Sequence, residues 1–484
     1  METCSLRLEN AEATELSVTG LSFTLLTRAS GLPLLVMVAA SAVAQTNFTI
    51  LKSFDPLPDA AVPFCHLIEG TDGAMYGTTV AGGISNSGAV FVLRKDGSGY
   101  AVLKSFSGAD GSGPYGDVVE GTNGALYGTT YGGGASNFGT LFRLSKDGSD
   151  YRVLHNFLGG ADGKNPWCAL IKGTDAALYG STVFSDATTR GTLFKLDEDG
   201  NNYVVLHAFT GSPTDGQQIQ SKLLLGTDGA LYGTTGFGGS GFVGTVFKLS
   251  TDGSGYTLLH NFTGHRPDGA SPAGGLVEGS DGVLYGTTDT GGSSVAGTIF
   301  KLNKDGSAYA VLRSFLNTGG DGQRPYGELV EGSDGALYGT TSFGGSANYY
   351  GTIYKIGKDG SGYSVLRSFL GTGGDGDAPG TGLLLGSNGI FYGTTSFGGA
   401  GGNGCVFSLN TAPPQPQVLG LSVAGNSNVI QFTGTTGIQY DVQRSTDLAS
   451  WTVLATISAQ ANGSFSHTDL NPPQRAAFYQ LRQH

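Results

Sequence analysis

Short runs of alternating apolar and polar residues, separated by Asp-Gly and Gly-Gly breaks, fill most of the chain. In "YGELVEGSDGALYGTTSFGGSANYYGTIYKIGKDGSGYSVLRSF", Tyr326 to Phe369, the pattern divides into four strand-like pieces. Asp334 and Gly335 supply a two-residue hairpin between the first two, and "KDGSG" turns between the third and fourth. The same phrase returns with its tyrosine at Tyr76, Tyr127, Tyr179, Tyr232, Tyr285, Tyr338 and Tyr392, a repeat of 51 to 54 residues. Four antiparallel strands in a unit of that length predict one blade of a β-propeller.

The ends of the array predict how it closes. A fourth-strand phrase, "NFTILKSF" (Asn47 to Phe54), precedes the first full unit, and none follows "GCVFSLN" in the last. The N-terminal strand then completes the last blade, which removes the free edges. The fold class expected is all-β: a seven-bladed propeller over 45–410 closed by the N-terminal strand. A Pro-rich linker follows at 411–417, and 418–484, with at least five alternating strands and a late "FYQLR", resembles a small fibronectin type III-like β-sandwich.

Antiparallel alternation puts both tight turns of each blade on one face. The longer links, within and between blades, lie on the other, and loops held by a rigid scaffold are where a ligand is expected. What recurs from copy to copy reads as structural: the strand with Leu or an equivalent before the Tyr, the Gly after it and the Thr pair that follows, and a base on every fourth strand (Lys52, Lys104, His155, His207, His260, Arg313 and Arg367), taken as a solvated outer edge.

The variable positions carry the candidate chemistry. After the between-blade Pro come Phe64, Tyr115, Trp167 and Tyr326, and two residues further on His66, Asp117 and Glu328, with Lys222 at that place in the fourth unit, where Ile219 replaces the Pro. Aromatic faces with a few charged groups at a channel mouth suit a sugar-like or peptide ligand, and they equally suit packing between blades. An enzyme would use His66 or His265 with Asp117, Asp268 or Glu328 as general acid and base. Asp110, Asp162, Asp268, Asp321 and Asp375, recurring in the between-blade loops, offer carboxylates of the kind calcium takes, or are plain turn residues.

Composition narrows the function. Among 484 residues there are 84 glycines and 13% charged residues, with a net charge of −12. No basic stripe exists to neutralise phosphates, so a nucleic-acid partner is not expected. "RASGLPLLVMVAASAVAQ" reads as a secretory signal peptide cleaved before Gln45, so residues 1–44 are a prefix and leader and the protein is secreted or surface-associated. No transmembrane anchor is expected. Cys65, Cys168 and Cys405 remain, without metal-ligand spacing, and read as buried thiols.

The unit "G-x-L-V-E-G-S-D-G-x-L-Y-G-T-T … G-T-I-F-K-L" resembles the tandem repeat of GloVer-type secreted proteins of Verrucomicrobia-like bacteria. That resemblance implies an exported propeller with no assigned reaction. Lys172, Leu225 and Leu385 depart from it at the Glu. The function expected is a non-catalytic, monomeric binding or adhesion module for a polysaccharide or cell-surface protein. The alternative is a carbohydrate-active lyase or hydrolase at the channel mouth, although no nucleophile elbow, paired-histidine motif or phosphate loop supports it.

Overall fold

Leu337–Thr341 pairs antiparallel with Thr352–Ile356, Leu337 opposite Ile356 and Thr341 opposite Thr352. Ser364–Ser368 adds the outer strand across a bulge at Ile353/Tyr354, and two residues, Val330–Glu331, form the inner one. Seven such four-stranded sheets follow one another in the computed structural model. It describes residues 48–410 except 56–58, 186–189, 317, 319 and 347–349, most of 417–483, and the backbone of two short ladders within 17–34. The expected leader and linker thus fall largely outside the described residues.

The seventh sheet takes its outer strand from the other end of the repeat array. Phe48–Ser53 pairs with Cys405–Leu409, Ser53 opposite Cys405 and Phe48 opposite Leu409. Seven apolar clusters fill the junctions between consecutive sheets, among them one joining the seventh to the first through Tyr392, Val406, Leu67, Met75 and Phe91. The sheets therefore form a closed ring, a β-propeller built within the compact unit Phe48–Asn410.

The repeated phrase accounts for each blade's geometry. Gly335 sits at a φ of 76°, and Asp334 accepts the Ala336 N–H at 3.2 Å and the Tyr338 hydroxyl at 2.9 Å. The motif tyrosine therefore locks its own hairpin. The glycine after it lies under the third-strand aromatic: a Cβ at Gly77 would stand 2.5 Å from the Phe91 ring, so a larger residue would displace that ring.

The C-terminal unit contains two three-stranded antiparallel sheets, one with Ser427–Thr433 between Gln417–Ala424 and Ser464–Asp469, the other with Gln439–Ser445 between Thr452–Ser458 and Phe478–Gln483, which share a core of Ile430, Phe432, Tyr440, Val442 and Phe465. It is a small β-sandwich, as expected. Arg444 binds Asp469 at 2.9 Å beside it.

Candidate functional site

Side chains alternate along each inner strand. Cys65 and Leu67 are buried between sheets, while Phe64 and His66, next to them, line the central channel. The four candidate aromatics meet there in one cluster. The rings of Tyr115 and Trp167 stack at 4.2 Å, and Phe64 meets Tyr115, Trp167 and Tyr326 edge-on at 6.0, 6.4 and 5.8 Å. Tyr131, which the sequence did not single out, abuts both Tyr115 and Trp167 at 5.5 Å. The aromatics thus pack on one another across the long-loop end and leave a cavity of only about 70 Å³ beneath. That holds a few waters, not a sugar ring.

Below them four ionisable groups converge. His66 Nδ1 lies 3.4 Å from a Glu328 oxygen and 3.9 Å from Asp117, and Lys222 Nζ is 3.9 Å from Asp117. Asp117 also accepts the backbone N–H of His66 at 2.6 Å, while Nε2 of His66 accepts the N–H of Gly382 at 2.6 Å. Burial works against ionisation of Glu328, but His66 and Lys222 outweigh it and hold its carboxyl below the usual range. Burial likewise works against the charge on Lys222, yet Glu328 and Asp117 hold its ammonium above the ordinary lysine value. For His66, burial disfavours a second proton while Asp117 and Glu328 favour it, raising the pKa. The Gly382 N–H, however, occupies the lone pair that this proton would need and selects the neutral Nδ1–H tautomer. His265, by contrast, is exposed in a between-blade loop, away from this group and from both channel cavities.

A second, wider space of about 400 Å³ continues from the same four residues toward the tight-turn face, walled by Ile68, Val277, Val330 and Leu384.

The outer strands correct the reading of a solvated edge. Each base there is largely buried and bound to the aspartate of the adjoining between-blade loop: Lys52 to Asp59 at 2.7 Å, His155 to Asp162 at 3.0 Å, Arg313 to Asp321 and Arg367 to Asp375 at 2.7 Å. Lys104 binds Asp110, and His260 reaches Asp268 at 3.7 Å. The base then lies over an aromatic of the next blade, as His207 stacks on Tyr256 at 3.9 Å and Arg313 over Tyr363 at 3.4 Å. Base, loop aspartate and next-blade aromatic pin successive blades together.

Those pins change the standing of the calcium candidates. Asp110, Asp162, Asp268, Asp321 and Asp375 already hold a cationic or imidazole partner, and each accepts a backbone N–H as well. They stand one to a junction, and among the described residues no set of three or more His, Cys, Asp or Glu is placed to hold a metal ion. Their recurrence is that of the pin. The signal that could have revealed it is the tyrosine opening six of the seven outer strands, such as Tyr309, whose hydroxyl donates to Asp268 at 2.5 Å; Phe48 stands there in the seventh.

The recurrent Glu has a related role on the tight-turn face. Glu331 accepts the N–H and hydroxyl of Ser280 in the preceding blade at 2.8 and 2.7 Å and binds Lys358 at 2.6 Å. Where the third unit has Lys172 instead, Glu198 makes the same two bonds to Thr122.

On the long-loop face lie ten of the twelve large hydrophobic side chains that the ring's described residues leave exposed. Phe184, Phe237, Phe343 and Phe397 occupy one repeat position there, 36 to 50% exposed. Cross-strand partners are polar: Gln217 faces Phe237, Gln323 faces Phe343 and Asp377 faces Phe397.

No curated protein matches the chain in sequence. Among solved structures, it is similar to a candidate 6-phosphogluconolactonase from Bacteroides uniformis at 18% identity, covering 63% of this chain and 84% of that one with a TM-score of 0.42. Another from Bacteroides fragilis is 14% identical, with 85% and 99% covered and a TM-score of 0.44. TolB from Acinetobacter baumannii is 12% identical, with 76% of each chain covered and a TM-score of 0.32. Among the described residues no helix is long and apolar enough to cross a membrane. The family model for the Gloeobacter/Verrucomicrobia repeat matches residues 35–172, 147–331 and 279–440, in tandem over the whole ring, and the chain belongs to that repeat family.

Proposed function

We propose that this is an exported, non-catalytic binding module that presents its long-loop face to an extended polysaccharide. The C-terminal sandwich, read as fibronectin type III-like, is a separate unit without catalytic groups of its own in this reading. The observation that carries the proposal is the set of exposed Phe237, Phe343 and Phe397, each with an amide or carboxylate directly across the strand. A flat apolar ring beside a hydrogen-bonding group suits a sugar face and its hydroxyls, and repetition from blade to blade suits a polymer. Export rests on the leader-like residues 28–44.

The lyase or hydrolase reading is weaker on the same geometry. Both ring nitrogens of His66 are engaged, one by Gly382 and one toward Glu328, so neither is open to a substrate proton. Binding of the full chain to immobilised polysaccharides tests the proposal. Each of Phe237→Ala, Phe343→Ala and Phe397→Ala should weaken binding about fivefold, for about 1 kcal/mol per aromatic contact. Unchanged binding in the triple variant would rule the face out.

A further inference from the structure

At the inner-strand position occupied by His66, Asp117, Lys222 and Glu328, the other three blades carry Ala169, Gly275 and Gly382. The fold therefore needs no charge at this position. Attraction across the cluster keeps these groups charged, but it acts over a gap: among the described residues Lys222 has no acid within hydrogen-bonding distance. Among the described residues Lys222 Nζ comes no nearer to an acid than 3.9 Å from Asp117. One Asp117 oxygen serves the His66 backbone, while the other has only contacts at 3.9 Å. Glu328 meets His66 at 3.4 Å. The Lys222 ammonium and the Asp117 and Glu328 carboxylates thus share the floor of the chamber of about 400 Å³, whose walls include the aliphatic Ile68, Val277, Val330 and Leu384 and also Glu69, which Lys95 and Ser387 already bind.

We propose that this chamber binds a small zwitterion with an aliphatic body, of the α-amino acid class. Its ammonium pairs with Asp117 and Glu328 and its carboxylate with Lys222, while the hydrocarbon lies against the Ile, Val and Leu walls. A lone anion would add to a cluster that already carries one net negative charge, and a lone cation would leave the Lys222 ammonium without a close partner, whereas a zwitterion gives both signs a partner. The site opens toward the tight-turn side, so it is independent of the polysaccharide reading of the long-loop face.

Calorimetric titration of the full chain with L-leucine, 4-methylpentanoate and isopentylamine tests this. Leucine should bind at least about tenfold more tightly than either singly charged analogue. Lys222→Met should reduce leucine to the level of the amine. Val330→Phe, which fills the chamber and leaves every charge in place, should abolish binding with the melting temperature retained, and it decides the matter should Lys222→Met fail to fold. Leucine binding no tighter than the analogues, no leucine binding at all, or an affinity indifferent to both substitutions would overturn the proposal.

Discussion

Gly382 donates its N–H to Nε2 of His66 at 2.6 Å, across the junction where the seventh sheet meets the first. A side chain that resembles a catalytic base from its sequence position is thereby a strut between the two ends of the repeat array. Its other nitrogen is turned to Glu328. His66→Ala should lower stability by about 1–2 kcal/mol, from one lost hydrogen bond and a less compensated Glu328, and should leave polysaccharide binding unchanged. Thermal melting alongside a binding assay separates that outcome from a catalytic one.

The seventh sheet depends on Phe48–Ser53 for its outer strand. Deleting residues 1–53 strips the edge of Cys405–Leu409 and removes Lys52, the base that pins Asp59. An unpaired edge of this kind templates association. The truncated chain should aggregate or melt far earlier than a chain truncated only to residue 44, as light scattering during a thermal ramp would report.

Pinning aspartates set the acid limit. Burial opposes ionisation of Asp59, Asp110, Asp162, Asp215 and Asp268, but their basic, hydroxyl and backbone partners outweigh it and hold each below the ordinary aspartate value. A carboxyl whose pKa is depressed in the fold contributes fully above its unfolded value, about 3.9, and loses that contribution as pH falls through the folded value. Melting temperature should therefore hold near neutrality and drop below about pH 4. Asp321→Asn, which leaves the largely buried Arg313 without its partner, should cost about 3 kcal/mol at neutral pH.

The sixth blade has Tyr354 where the others have phenylalanine, and its hydroxyl is enclosed with no partner among the described residues. An orphaned buried hydroxyl carries a desolvation cost, so Tyr354→Phe should stabilise the ring by about 1 kcal/mol. Chemical denaturation would show a higher midpoint at unchanged slope; a lower midpoint would mean that the hydroxyl is bonded.

Fold was legible because repetition exposes it. The period, the Asp-Gly turn at Asp334 and Gly335, and the orphan strand before Phe54 fixed the blade and its closure. What the sequence concealed were contacts between units. Arg313, Asp321 and Tyr363 lie 8 and 42 residues apart, and only the ring brings them together. The structure brings the aromatic channel candidates together, but Tyr115 and Trp167 turn their faces to each other, a contact that no single repeat reveals. Phe237, Phe343 and Phe397 were passed over because a phenylalanine in a repeated strand reads as core, and exposure is a property of the folded ring.

The most direct test of the binding reading is to follow association and bond cleavage in the same sample. The full chain would be titrated with a polysaccharide that it retains, while new chain ends in the supernatant are assayed over hours. Saturable binding with no new ends, lost in the triple variant at Phe237, Phe343 and Phe397 and kept in His66→Ala, is the expected result. Steady release of new ends, abolished by His66→Ala, would contradict it.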